Sequence, residues 1–496
     1  MDIGAGVSMT VVRAAGVLLL MLICLSCGQT YRPVATPIIP SLPNPGFSHF
    51  AVVISGNGTD HPGASTSINV SGDTAESQST VGLMPVQAAV VLSGTRVYVA
   101  NSHDDTVSSF SPTSPTPVTT ISLPAGSAPS FVATAENASV YVANSGNNTV
   151  SAITMANNVL EQPVYGISVG IDPVWLAETP NLQKLYVANR GNGAGGGSVT
   201  SINPVDRSLN PSISNATWVS PVSVAARSDG NRAYVLDQGS GMVSAIDTAN
   251  DTVVNSVSVG VGANFMLYDP TRNRLYVSNP VANTVTYLQA STDALSATVL
   301  AIANPISVAV LPDGTRAYIS SASVNGGTVT ARVTVINASS GSVTTTIPLT
   351  SVAQACASNP SELSMAAAAD SSRVYVGNCD AGNVAIIQTL SDTMLLQLPA
   401  PESAAQPSTV EITAAAQSGL NTTYAYTLIS GPPLIVGTRI TIENMADSGN
   451  NGTFSVTAVG TGTFTVLNPS GVKAGSQDGS GIAVKPQNPV FIVAGP

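Results

Sequence analysis

Three histidines supply all the imidazole in this chain, His49, His61 and His103, and the last 393 residues contain none. A multi-histidine metal site around a repeat fold is thereby excluded, and a Ser-His-Asp triad could draw only on these three. No H-E-x-x-H occurs. His103 is followed by Asp104 and Asp105 and reads as part of a solvated turn, with a weak metal or ligand contact as the alternative. Gly191-Asn-Gly-Ala-Gly-Gly196 satisfies G-x-G-x-x-G. A dinucleotide site needs a helix next, to aim its N-terminus at the pyrophosphate, whereas Ser198-Val-Thr-Ser-Ile202 reads as a strand. Asp447-Ser-Gly-Asn-Asn-Gly452 lacks the spacing of a calcium loop. The other charged candidates, Asp172, Arg190, Asp237, Glu362 and Asp380, are spread along the chain without evident pairing. We assign no catalytic residue, no cofactor and no metal ligand.

The elements that would position these residues are repeats. Val140-Tyr-Val-Ala-Asn-Ser-Gly-Asn-Asn-Thr-Val-Ser-Ala-Ile153 reads as two short alternating strands joined by a polar turn. The phrase returns with its tyrosine at Tyr98, Tyr186, Tyr234, Tyr276, Tyr318 and Tyr375, in steps of 43, 45, 48, 42, 42 and 57 residues. That period, with about four strands per unit, is the signature of propeller blades. A proline stands 12 to 15 residues before most of these tyrosines, at 85, 129, 173, 221, 305 and 360, with Asn264 substituting once. After it come an apolar run, a turn such as Pro312-Asp-Gly-Thr315, the tyrosine strand and two more strands. The tyrosine ring should pack between blades, and the asparagine after it should open the hairpin by an Asx-type bond to the backbone.

These units resemble the YVTN-type propeller repeat. Tyr98-Val-Ala-Asn101, Tyr141-Val-Ala-Asn144, Tyr186-Val-Ala-Asn189 and Tyr276-Val-Ser-Asn279 carry the resemblance, with weaker copies at Tyr234, Tyr318 and Tyr375. It implies an all-β protein built on a propeller of four-stranded blades over 47–399. Seven units follow Pro85, and a fragment from His49 to Val70 precedes them. We expect seven blades with the fragment pairing onto the ring, eight being the alternative. In that frame His103, Asp104, Asp172, Arg190, Asp237, Glu362 and Asp380 fall near one mouth of the channel. The resemblance is poor for function, because such propellers serve as surface, scaffold and enzyme domains alike.

Residues 400–422 read as a linker and 423–496 as a separate small β-barrel or sandwich. Its strands would come from Tyr424 to Ile429, Arg439 to Met445, Gly452 to Val459, Gly462 to Leu467, Gly481 to Lys485 and Val490 to Val493. Asn451-Gly-Thr-Phe-Ser-Val-Thr-Ala-Val459 resembles small β modules appended to bacterial surface proteins. A chain ending near Ala405 should then keep the cooperative unfolding of the propeller.

Charged residues are only 9% of the chain, and 16 Lys plus Arg against 27 Asp plus Glu leave a net of −11. Polyanion binding needs clustered cations, and no basic run exists, so nucleic acid is not an expected partner. Residues 1–26 look like an export signal: Arg13 precedes a twelve-residue apolar run, Ala14 to Leu25, too short to span a bilayer comfortably. The sequence Ser26-Cys27-Gly28 resembles the end of a bacterial lipoprotein signal, which implies lipidation of Cys27 and a membrane anchor; Cys24 and Leu25 depart from that pattern. Residues 27–46, with five prolines, read as an extended spacer. Cys356 and Cys379 then remain in an oxidising compartment, at the same end of the last blade. A disulfide between them is expected, two buried thiols being the alternative.

These readings favour a non-enzymatic cell-envelope lipoprotein, periplasmic or on the cell surface, that binds a protein or carbohydrate ligand on its loop face. The alternative is a propeller lactone hydrolase or carbohydrate-active lyase with its site at the channel mouth. A redox-cofactor propeller fails for want of haem ligation or a tryptophan platform, since only Trp175 and Trp218 are present.

Overall fold

The computed structural model describes residues 50–495 except 57–61, 115–117, 135–138, 194–195, 214–215, 291–296, 355, 357–362, 400–407, 432, 435, 437, 473–478 and 485–487. The expected signal, the spacer and Cys27 lie outside the described residues, as do His49, His61 and Glu362. Apart from a 3₁₀ turn at Ser448–Asn450, the described elements are strands, and no helix among them is long and apolar enough to cross a membrane.

Eight antiparallel sheets form a propeller, and six further strands close a barrel. Seven blades are continuous in sequence, at 85–122, 129–168, 173–202, 221–258, 265–301, 305–353 and 363–399. The fourth of the eight keeps three strands, its outer edge reduced to a bridge between Ile202 and Leu209. The remaining blade is composite. Phe50–Gly56, Pro62–Asn69 and Thr74–Leu83 supply three strands, and Asn488–Ala494 supplies the innermost one. Val52 lies opposite Val493 and Val53 opposite Ile492. The innermost strands of all eight blades touch one another in order around a closed ring.

Eight blades, the alternative count, is therefore the observed one. The leading fragment joins as three strands of a full blade, and Val490 to Val493 belong to that blade rather than to the tail domain. The physical reason is pairing: the strand Phe50–Gly56 is wholly buried except at its last residue, and it needs a partner on each edge to satisfy its backbone. The inner edge is satisfied from the far end of the barrel.

The barrel runs in the order Ser408–Ser418, Asn421–Ser430, Thr463–Leu467, Gly452–Gly460, Arg439–Glu443, Gly479–Val484, back to the first. Its core holds Ile412, Tyr424, Ile440, Val456 and Phe464, with the Tyr424 and Phe464 rings stacked at 5.2 Å. The stretch expected as a linker thus contains the first barrel strand. In sequence the barrel is an insertion between the last strand of one blade and the innermost strand of the next.

Candidate functional site

The mouth of the channel that carries the tyrosine-strand hairpins shows how the charged candidates are used. All of these hairpins but the one at Ser321 leave their strand at an asparagine or aspartate, and four residues on the backbone is left-handed in six of them. Asp105 (φ 53), Asn148 (φ 60), Gly193 (φ 79), Gly241 (φ 68), Asn283 (φ 56) and Gly382 (φ 59) hold that place. Asparagine, aspartate and glycine tolerate this conformation best. The side chains at 105, 148 and 283 then reach the loop leading into the following blade. Asp105 accepts from the backbone N–H of Gly126 and Ala128, both at 2.7 Å. Asn148 accepts from Asp172 N at 2.9 Å, and Asn283 from Asn304 N at 2.8 Å.

The other candidates have similar work. Asp104 accepts from Leu83 N (2.9 Å) and the Thr106 hydroxyl (2.8 Å). Asp237, almost fully buried, accepts from Val219 N (2.8 Å) and Ser220 N (2.7 Å). Asp380 accepts from Cys356 N at 2.9 Å. Arg190 and Asp172 are paired with each other at 2.7 Å, and the arginine is half-exposed. His103 is exposed in its turn. The structure therefore brings Asp172 and Arg190 together, while Asp104, Asp237 and Asp380 each clamp a different loop. Among the described residues no group of three or more His, Cys, Asp or Glu is arranged to hold a metal ion. Cys356 and Cys379 are bonded, with Cα atoms 6.1 Å apart, and the Asn488 amide at the start of the closing strand lies 3.5 Å from the Cys356 sulfur.

The repeated tyrosines and asparagines have structural roles, one of them different from expectation. All seven tyrosine rings are fully buried and lie between blades. Four of the hydroxyls meet the outer turn of the next blade: Tyr98 donates to Asn158 (2.8 Å), Tyr186 to Asp251 (2.6 Å) and Tyr318 to Asp392 (2.6 Å), while Arg207 donates to Tyr141 (2.6 Å). Burial, then the neighbouring carboxylate, pushes the Tyr186 and Tyr318 phenols far above their ordinary value. For Glu161, burial alone would raise the pKa, but the bonds from Arg207 and Ser139 outweigh it and hold the carboxyl below its usual range. Asn279 and Asn378 accept from the backbone N–H of Ala282 and Ala381, three residues on, an Asx-type bond to the hairpin backbone. Asn101, Asn144 and Asn189 do not follow that expectation. Their amides donate instead to third-strand hydroxyls, such as Thr106 and Ser108 for Asn101, because those strands offer Ser or Thr facing the asparagine.

A basic residue two places before the tyrosine went unread in the sequence. Arg96, Lys184, Arg232, Arg274, Arg316 and Arg373 stand there, a large share of the chain's 16 cations. Lys184 pairs with Asp251, Arg316 with Asp392 and Arg373 with Asp73, tying each blade to the next. Aligning the repeats would have exposed this position.

The channel itself has another character. A cavity of about 400 Å³ opens among the inner strands, with Phe131, Trp175, Phe265, Leu267, Met365 and Phe491 on its wall and no charged side chain in its lining. The Phe131 and Trp175 ring centroids are 4.5 Å apart, and Phe265 meets Trp175 edge-on at 6.2 Å. The polar lining groups already have backbone partners. Gln87 accepts from Val132 N (2.6 Å), Ser307 donates to Leu363 O (2.6 Å) and Ser364 accepts from Ile492 N (3.1 Å). A second cleft, of about 810 Å³, lies between the long hairpin of the 305–353 blade and the barrel, and its lining is likewise uncharged.

Comparison with known proteins supports the fold. No family model matches the chain, and no curated protein matches it. Among solved structures, Citrobacter koseri AztD is 11% identical, with a TM-score of 0.54 over 71% of this chain and 95% of that one. The apo form of the same protein gives 11% identity and a TM-score of 0.52, over 72% and 96%. Virginiamycin B lyase from Staphylococcus aureus is 14% identical over 60% of this chain and 92% of its own, with a TM-score of 0.43. At these identities the likeness extends to the β-propeller architecture alone.

Proposed function

We propose that this chain is a non-enzymatic, lipid-anchored cell-envelope propeller of the YVTN type that serves as a ligand- or protein-binding scaffold. One observation carries the reading. The described acids near the channel mouth are committed to holding loops, or to an arginine, rather than converging on a common point where a substrate atom could sit. The sequence at Ser26-Cys27-Gly28 and the proline-rich stretch behind it support tethering at a distance from a membrane. Replacing Cys27 by Ser should move the protein from the membrane fraction to the soluble one, and a palmitate analogue should label only the unaltered chain. Unchanged membrane association, with no label on the unaltered chain, would end the anchoring half of the proposal. The non-enzymatic half fails if the purified chain opens lactones or cleaves a polysaccharide and Asp172→Asn abolishes that turnover.

A further inference from the structure

We propose that the channel is a binding site for an uncharged, apolar molecule carrying aromatic or fused rings. This rests on the reading of the propeller as a binding rather than a catalytic module.

The blades differ from one another at one position of the inner strand. Gln87, Phe131, Trp175, Ser223, Phe265 and Ser364 lie opposite Ala100, Ala143, Ala188, Leu236, Ser278 and Gly377, each the third residue of the tyrosine tetrapeptide. They are one position of the repeat. Blades closed at that position by serine or glutamine are as well formed as blades carrying a ring, so blade construction does not require an aromatic there. Three blades nevertheless place one there, and the closing strand adds Phe491 to the same wall. All four rings remain only half-buried. Aromatic faces left open to a cavity are binding surface with a large apolar area and few rotatable bonds.

Charge narrows the ligand further. No ionised side chain lines the cavity, so a charged ligand would lose its hydration there without a partner. A sugar would fare poorly too, because Gln87, Ser307 and Ser364 are already bonded to the backbone of neighbouring blades. Selection must then come from shape and apolarity. The volume lies within the ~300–1,000 Å³ usual for small-molecule sites.

The test is a fluorescence titration of the purified full chain with two probes of closely related ring system, N-phenylnaphthylamine, which is neutral, and anilinonaphthalene sulfonate, which is anionic. The neutral probe should bind at one site per chain, and the sulfonate about tenfold or more weakly. Phe131→Ser and Phe265→Ser each install the residue that other blades already carry, so folding, checked by circular dichroism, should survive. Each should weaken the neutral probe by about tenfold. Leu467→Ser, in the cleft against the barrel, should leave binding unchanged. Equal affinity for both probes, unaltered binding in the channel variants, or loss of binding in Leu467→Ser would overturn the proposal. So would absence of neutral-probe binding, which would make the rings a plug for a wide channel. Membrane release by Cys27→Ser and this titration fail independently of each other.

Discussion

Seven blades of this propeller are made from uninterrupted chain, and the eighth is made from two segments separated by the rest of the molecule. In a continuous blade, pairing strands are joined by turns of a few residues, so the loop-closure cost is small and local alternation dictates the sheet. In the composite blade Asn488–Ala494 must find Phe50–Gly56 across more than four hundred residues of intervening chain. It also lacks the tyrosine tetrapeptide. What takes the place of local sequence there is a set of specific attachments: Arg373 of the preceding blade grips Asp73 through both carboxylate oxygens, and Ser364 receives Ile492 N. A ring can thus be repetitive in form while its cohesion depends on one non-repetitive joint.

The largest expected effect comes from opening that joint. A chain ending at residue 487 loses Val490, Phe491, Ile492 and Val493 from the inner wall. At ~1.5–3 kcal/mol for each fully buried side chain, and less for the partly buried ones, the loss should be at least ~4 kcal/mol. That is a large part of the ~5–15 kcal/mol that holds a typical domain. The thermal transition should become broad or vanish. An unchanged, cooperative melt would show that the ring closes without this strand.

Next in size is the bridge beside the joint. Replacing Cys356 and Cys379 together by serine frees a segment with a sequence separation of 23 and should cost about 3 kcal/mol. Denaturant unfolding would show this as an earlier midpoint. No shift relative to the unaltered chain under non-reducing conditions would mean that the bridge adds nothing to the blade it encloses.

The contrast was only partly legible in the sequence, for physical reasons. The continuous blades could be read because tyrosine, asparagine and proline recur at fixed offsets. Val490 to Val493 alternates like any strand, and nothing in its residues names its partner. The first barrel strand was concealed differently. Its buried residues run Ser408, Val410, Ile412 and then Ala415, because the pairing shifts between Ile412 and Ala414 and breaks the two-residue period. At the channel mouth, the position of the acids could be read but not their work, since backbone N–H groups of neighbouring loops leave no mark on composition. Phe131, Trp175 and Phe265 looked like ordinary strand residues until register made them one position.

The smallest effects distinguish individual tyrosines. Tyr186→Phe removes a bond to the buried Asp251 carboxylate and should cost ~1.5–3 kcal/mol. Tyr375→Phe removes a buried hydroxyl with no hydrogen-bond partner among the described residues and should be close to neutral. Equal costs would contradict a stabilising role for the Tyr186–Asp251 bond between blades. Both phenols are raised well above the ordinary value, burial being the largest cause. Their neutral forms favour the folded state, so this stabilisation is complete below pH ~10 and declines as pH rises beyond it. Ultraviolet titration of the unaltered chain against each Tyr→Phe variant should therefore show these two phenols ionising together with unfolding rather than before it.

The insertion of the barrel ahead of the closing strand has a consequence in time. A polypeptide emerges from the ribosome in order, so the strands at 50–83 must remain an open edge while every other blade is made. They must wait further while the barrel strands from Ser408 to Val484 are completed, because the segment that seals them follows. A chain interrupted between the end of the last continuous blade at Pro399 and the closing strand at Asn488 thus has seven blades and an unfilled seat beside Phe50–Gly56. Closure of the ring reports that translation has passed through the whole barrel.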